Sequence, residues 1–183
     1  MFISRGRRPI AVVLVVFALV IAAVDGLAAA DHRLTSARMP QTLKADAGLL
    51  PQIEHLIAMS PTFREQCLRL DEAEKLVVLL RLNPLLPTGL FRARSMMRRY
   101  SSGLLIATVE VAPGSDQAEW IAHEFEHVLE MLEGQQLPNL ARRLASGVWQ
   151  STTGMYETRR ATEAGRNVRA ETQLVDTSDK FVE

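Results

Sequence analysis

Residues 120–129 of the chain read Trp120-Ile121-Ala122-His123-Glu124-Phe125-Glu126-His127-Val128-Leu129. The His-Glu-x-x-His spacing places His123 and His127 one turn apart on the same face of a helix, so that both imidazoles can bind one metal ion. Two neutral imidazoles suit Zn²⁺, with a third protein ligand and one position open for water. Glu124 lies beside the ion in such an arrangement, where it can act as the general base for a metal-activated water.

The residues around this motif predict a long amphipathic helix. Asp116 and Glu119 have the spacing of a capping box at its start, with Asp in place of the usual Ser or Thr, and Gly134 is a natural stop. Glu130 shares the histidine face one turn beyond His127, which suits a hydrogen bond to that histidine better than direct ligation. The apolar stripe that faces the core consists of Ile121, Phe125, Val128, Leu129 and Leu132.

Three segments before this helix have the pattern of strands. Residues 76–82 form a short apolar run, residues 91–100 alternate imperfectly between apolar and basic side chains, and residues 104–111 are strongly strand-like. The short links between the segments predict an antiparallel three-stranded meander. We expect the arginines of the middle segment on a solvent-exposed face, with a groove for an anionic substrate as the alternative. These arginines are Arg92, Arg94, Arg98 and Arg99.

Helices are predicted on both sides of the strands. Residues 50–59 form the first, and the second has Ser60 as its N-cap and Pro61 at its first helical position. A final helix covers about residues 154–170. These patterns together predict an α+β fold in which the short meander packs against the His-Glu-x-x-His helix and further helices. We expect a flexible lead-in over residues 31–47, one domain over 48–171, and a polar tail over 172–183.

The first 30 residues have the layout of a secretory signal peptide. Basic residues up to Arg8 precede an apolar run over residues 10–24, and three alanines at 28–30 offer a small-x-small cleavage site. We therefore expect an exported protein, periplasmic or secreted. The alternative is an uncleaved inner-membrane anchor formed by residues 10–24, which are few for a membrane span.

Composition restricts the classes of function. The chain has 21 basic and 21 acidic residues, and this formal net charge of zero gives no support for nucleic-acid binding. Apolar residues make up 48% of the chain, enough for a proper hydrophobic core. Cys67 is the only cysteine, so an exported chain cannot form an internal disulfide and its fold must rest on that core.

The segment from Ile121 to Val128 resembles the active-site helix of the zincin metallopeptidases, in which uncharged residues surround a His-Glu-x-x-His motif. Glu126 departs from this pattern, because the family usually has an uncharged residue there. The resemblance implies a zinc-dependent hydrolase that acts on peptide bonds through a minimal zincin-like fold. Residues 60–67, 102–111 and 147–161 are also similar to a group of exported bacterial proteins that carry no established activity.

The third metal ligand distinguishes the branches of the zincin family. In the metzincins, a Gly and a His follow the second His at three and six residues, where this chain has Glu130 and Glu133. The thermolysin-like branch, the gluzincins, takes a Glu from a later helix, and this likeness makes Glu157 the candidate ligand. Ala161, Ala164 and Val168 follow it on one face, which allows that helix to pack closely against the His helix.

Two neighbouring residues, Tyr156 and Glu157, need separate comment. The resemblance makes Tyr156 a candidate donor of a hydrogen bond to the tetrahedral intermediate, the role of a tyrosine in many gluzincins. Glu157 has an alternative reading, because an acid in the first turn of a helix is stabilised by the helix dipole without binding any metal.

Three hypotheses about function remain at this point. The first is an exported zinc peptidase with a peptide or protein substrate, no nucleic-acid partner, and membrane contact only through an uncleaved N-terminal segment. The second is a catalytically inactive, zincin-like binding module of the cell envelope, which Glu126 favours. The third is chance, in which both histidines lie on a solvated face of an acidic helix. The sequence carries no signal for an oligomeric state.

Overall fold

The computed structural model describes residues 38–86 and 92–178. Within these residues the fold is α+β, with six strands and five α-helices. The strands are β1 (Leu43–Ala45), β2 (Leu76–Leu82), β3 (Ala93–Arg99), β4 (Leu105–Val111), β5 (Val148–Gln150) and β6 (Tyr156–Thr158). The helices are α1 (Leu50–Met59), α2 (Pro61–Asp71), α3 (Gln117–Leu132), α4 (Leu137–Leu140) and α5 (Arg159–Ser178), and a 3₁₀ turn covers Ala47–Leu49.

Strands β1 to β4 form a mixed sheet in the order β1-β2-β4-β3. Strand β2 pairs in parallel with both β1 and β4, whereas β3 and β4 form an antiparallel pair. The predicted antiparallel meander is therefore wrong for its first strand, although its last two strands pair as expected. The apolar run of β2 suits the interior of a parallel arrangement, and β3 carries the chain to the far edge before β4 returns beside β2.

One face of this sheet supplies half of the core. Side chains in β4 alternate between buried and half-buried along the whole strand, as expected for a sheet covered on one face. The buried face contacts α3, whose Ile121, Phe125 and Val128 have no exposed surface. Phe63 of α2 stacks on Phe125 with ring centroids 5.4 Å apart, so α3 lies between the sheet and α2.

Helices α3 and α5 make the most extensive helix-to-helix contact among the described residues. A Cβ atom added to Gly165 would lie 2.7 Å from the backbone oxygen of Glu119, so only glycine permits this approach. Ala161, Ala164 and Val168 are all buried, which confirms the predicted contact face. The observed helix begins at Arg159 instead of residue 154, because Tyr156–Thr158 pair with β5 as a strand.

The helix ends agree only in part with the predicted caps. Ser60 accepts a hydrogen bond from the amide of Phe63 (3.0 Å), and Gly134 adopts φ 72°, as expected for an N-cap and for a helix stop. The predicted capping box is wrong. Asp116 makes no side-chain bond to the helix amides, and Glu119 instead accepts a hydrogen bond from Arg169 of α5 (2.9 Å).

The predicted segment boundaries also require correction. Leu43 is buried and residues 43–45 form a parallel edge strand, so the lead-in is not irregular throughout. Helix α5 continues beyond the predicted boundary at residue 172. The signal peptide and the alternative anchor at residues 10–24 lie outside the described residues. None of the helices in the described ranges is both long and apolar enough to cross a membrane.

Candidate metal centre

Helix α3 directs both histidines of the motif to one point. The Nε2 atoms of His123 and His127 lie 3.1 Å apart, and their rings meet nearly edge to face, with centroids separated by 4.8 Å. Both side chains are buried, with 6% and 7% of their surface exposed. The chance hypothesis requires both histidines to lie on a solvated face, and their burial contradicts it.

Glu157, in β6, lies next to the two histidines of α3. Its Oε2 atom lies 3.0 Å from Nε2 of His123 and 3.7 Å from Nε2 of His127. The residue occupies the middle of β6 and not the first turn of a helix, so the alternative reading as a helix-dipole acid does not apply. Pairing of Glu157 with Trp149 of β5 holds the strand in place.

The three atoms are spaced as the ligands of a small cation would be. A point in their plane equidistant from all three lies about 1.9 Å from each, worked from separations of 3.0, 3.1 and 3.7 Å. Zinc bonds to imidazole nitrogen and carboxylate oxygen at about 2.0–2.2 Å, so these separations are compatible with a cation of that size. Glu157 also borders both cavities beside the group.

A second layer of hydrogen bonds orients His127. Its Nδ1 atom lies 2.9 Å from Oε2 of Glu130, and the other oxygen of Glu130 accepts a hydrogen bond from the hydroxyl of Thr158 (2.7 Å). Glu130 has the role predicted for it, that of a partner to the histidine and not a ligand. Thr158 follows Glu157 directly in β6, so this bond also links the strand that carries Glu157 to α3.

Glu124 lies beside the histidines in the same cleft. Its side chain is 6% exposed and borders the cavities on both sides of the three-residue group. Burial raises the pKa of Glu124, while the neighbouring His127 and His123 and a hydrogen bond from Ser95 act in the opposite direction. The carboxylate is thus close to the proposed ion without being one of its three ligands.

The electrostatics of the group link protons to cation binding. Burial acts to lower the pKa of His127, but hydrogen bonds to Glu130 and Glu157 outweigh it and raise the pKa to about 10. For Glu157, burial acts to raise the pKa, and the hydrogen bonds to both histidines lower it to about 2. Because a metal ligand must be the neutral imidazole, His127 would have to release this proton to hold a cation.

Glu126 points away from this centre and serves the fold. Its carboxylate is 4% exposed and accepts hydrogen bonds from Gln66 of α2 (2.8 Å) and from Arg160 of α5. Arg69 lies 3.4 Å from the same carboxylate. The residue that departs from the zincin pattern thus joins three helices, and two arginines balance its charge.

Two cavities flank the centre along α3. The one next to His127 is bordered by apolar side chains, among them Met131, Leu137 and Met155, and by Tyr156. The one next to His123 is bordered by Trp120 and Trp149 and by two arginines, Arg92 and Arg166. Tyr156, a candidate from the sequence, therefore lies in the same cleft as Glu124.

Several other residues lie outside the three-residue group. Arg92, Arg94, Arg98 and Arg99 are exposed, as predicted, and the first two also border the cavities beside the centre. Glu163 pairs with Arg159 on the surface, and Glu171 accepts hydrogen bonds from Ser60 and Thr62. Cys67 is buried, and burial raises the pKa of its thiol to about 12, as expected for a core residue.

Three residues of the site carried no usable signal in the sequence. Ser95 reaches Glu124 from β3, Thr158 reaches Glu130 from β6, and Arg166 enters the cleft from α5. Each is a common surface residue type, and each joins the site through an element distant in sequence from the motif.

Comparison of the chain with protein-family models, with curated proteins and with solved structures finds no match. The assignment of a function therefore depends on the residues of the site and their geometry.

Proposed function

We propose that this chain is an exported, zinc-dependent hydrolase of zincin type that cleaves peptide bonds. His123, His127 and Glu157 are the proposed metal ligands. The observation that carries the proposal is the convergence of two imidazole nitrogens and one carboxylate oxygen from two different elements, with separations of 3.0 to 3.7 Å. That spacing suits an ion about 2 Å from each atom.

The donor set favours zinc in a catalytic and not a structural role. Two imidazoles and one carboxylate are ligands that zinc prefers, and structural zinc sites use four protein ligands, commonly cysteines. Within the described ranges, the group of potential ligands consists of three residues, which leaves a coordination position for water or substrate. Glu130, which accepts a hydrogen bond from His127, is the kind of outer partner that ligating histidines have.

A bound zinc ion would polarise the substrate carbonyl and lower the pKa of water. Glu124 would accept the proton from the attacking water and pass it to the leaving amine, which its buried position beside both histidines supports. Tyr156, which borders the same cavity, would donate a hydrogen bond to the oxyanion that develops on the substrate carbonyl.

The edge of the sheet supports a peptide as the substrate. Strand β3 borders the cleft through Ala93, Arg94 and Ser95, and among the described strands it has a neighbour on one side only. An extended peptide can pair its backbone with such an edge, beside Glu124. Export is supported by the signal-peptide layout of the first 30 residues.

The second candidate function is the inactive binding module. Metal analysis and peptide turnover, measured on the same purified protein, distinguish it from the peptidase. Metal analysis of the purified protein should find about one zinc per chain, lost in His127→Ala and in Glu157→Ala. The variant Glu124→Gln should keep its zinc and lose peptide turnover, while the surface control Glu163→Gln should keep both. Stoichiometric zinc with no turnover across a broad peptide library would favour the inactive module. Absence of zinc from the wild-type protein would refute the peptidase.

A further inference from the structure

The cleft is chemically asymmetric about the three-ligand group. We use the name arginine side for the cavity next to His123, which is bordered by Arg92, Trp120, Trp149, Thr162 and Arg166. Its volume is about 410 Å³, against about 170 Å³ for the apolar cavity next to His127. The two halves of a substrate on either side of the scissile bond therefore meet different surroundings.

Trp149 forms an open aromatic wall of the arginine side. Its Cα is the direct cross-strand partner of Glu157, so the two side chains project from the same face of the β5–β6 pair. Glu157 reaches His123, and Trp149 thus stands next to the metal group with 45% of its surface exposed. A large exposed aromatic side chain in a cleft is typical of a residue that contacts a ligand.

The two arginines of this cavity form no ion pair within the part of the chain that the structure describes. Neither Arg92 nor Arg166 has a carboxylate of a described residue within 4.0 Å. Arg92 lies close enough to Asp116 to help lower the pKa of that carboxyl group, but does not form an ion pair with it.

The acidic residues that border the arginine side are already engaged. Glu119 pairs with Arg169 (2.9 Å), Glu157 contacts the histidines, and Glu124 is the proposed base. In the apolar cavity the arginine is also engaged, because Arg94 pairs with Glu110 (2.6 Å). Among the described residues, the arginine side thus has two arginines without an ion pair, whereas the arginine of the apolar cavity is paired.

We propose that the arginine side binds a carboxylate of the substrate, from an Asp or Glu side chain or from a free C-terminus, against the wall formed by Trp149. This inference rests on the proposed function, since it names the class of peptide that the zinc site would cleave. A guanidinium that binds a carboxylate in a partly desolvated cleft forms a charge-assisted, often bidentate hydrogen bond. Arg166 of α5 and Arg92, which directly precedes β3, supply two such groups.

The test uses the zinc-loaded Glu124→Gln variant, which binds peptides without cleaving them. Three peptides of one sequence serve as probes: one neutral with blocked ends and Gln at each test position, one with Glu at those positions, and one with a free C-terminus. Quenching of tryptophan fluorescence and calorimetry report binding. We expect at least one carboxylate peptide to bind about tenfold more tightly than the neutral peptide, and the two carboxylate probes distinguish the two sources.

Matched variants assign this preference to the cavity. Arg166→Gln and Arg92→Gln, each added to Glu124→Gln, should reduce the preference to about twofold or less. Arg99→Gln, at the other end of β3, should leave it unchanged. Equal binding of neutral and carboxylate peptides would overturn this inference and leave the zinc site standing, as would an equal effect of Arg99→Gln. Loss of zinc, or no binding of any peptide, would refute the proposed peptidase itself.

Discussion

Replacement of Glu130 tests whether its hydrogen bond orients His127 for metal binding. Glu130 is 1% exposed and accepts two hydrogen bonds, from Nδ1 of His127 (2.9 Å) and from the hydroxyl of Thr158 (2.7 Å). Glu130→Gln keeps the size of the side chain but removes its charge and one of its two acceptor oxygens. One oxygen must then serve two donors, so the ring of His127 loses its fixed orientation or Thr158 loses its partner.

The expected loss of zinc affinity follows from this change. Removal of an outer partner of a ligating histidine weakens metal binding by roughly 10–100-fold. We expect about tenfold for Glu130→Gln, because the amide oxygen can still accept one hydrogen bond, and this corresponds to about 1.4 kcal/mol. Thr158→Val removes one donor and leaves the charge of Glu130, so its effect should be smaller, about two- to fivefold.

Competition with a chromophoric chelator at constant pH measures both affinities. Circular dichroism of the metal-free variants checks that the fold is intact, and Glu163→Gln serves as a matched control, because Glu163 lies on the surface and pairs only with Arg159. Zinc affinity of Glu130→Gln within twofold of wild type would refute the orienting role of Glu130. An equal loss in Glu163→Gln would show that net charge, and not the hydrogen bond, is responsible.

Three further predictions concern the fold. Gly165→Ala should lower the free energy of unfolding, measured by chemical denaturation, by about 1–2 kcal/mol, because overpacking against α3 outweighs the gain in helix propensity. Gly48→Ala is the control and should have little effect, because the space around Gly48 is open. Equal effects of the two substitutions would contradict the close contact between α3 and α5. Cys67, with a pKa of about 12, should react with a thiol reagent only after unfolding, and rapid labelling of the native protein would exclude a buried thiol. Because the folded protein holds this thiol proton more tightly than the unfolded chain, the resulting contribution to the free energy of unfolding should be present below about pH 9 and lost as pH rises toward 12. The hydrogen bond from Arg160 lowers the pKa of Glu133 to about 2, so this pair should stabilise the fold above about pH 4.5 and cease to do so as pH falls toward 2. Acid titration of Glu133→Gln should therefore show a shallower loss of stability in that range than wild type, and identical curves would contradict the prediction.

Much of the local structure was predictable because it depends on neighbours in sequence. The His-Glu-x-x-His spacing, the apolar stripe of α3 and the cap at Ser60 are determined by helical geometry over four or five residues. Glu130 could be assigned to a hydrogen bond with His127 for the same reason. Glu157 became a candidate through the resemblance to the gluzincins, together with the small residues that follow it, although the residue itself lies in a strand.

The pairing of strands was not predictable from the same patterns. The apolar run of β2 is compatible with any interior position, and its parallel pairing with β4 depends on which edges remain open after β3 and β4 have formed their hairpin. The short strand β6 has three residues, and its pairing with β5 outweighs the helical pattern that continues into α5. In both cases the choice depends on a partner distant in sequence.

The sequence by itself determined that this chain has one helix able to present two imidazoles to a single ion, because that property needs only the spacing of residues on one helix. Only the tertiary structure decided that Glu157 joins them, that Glu126 turns inward to Arg160, and that Trp149 and Arg166 border one side of the cleft. These decisions depend on the packing of α5 and β6 against α3, which no local pattern encodes. The physical reason is that a site is built where elements meet, and the meeting is governed by the burial and complementarity of whole faces.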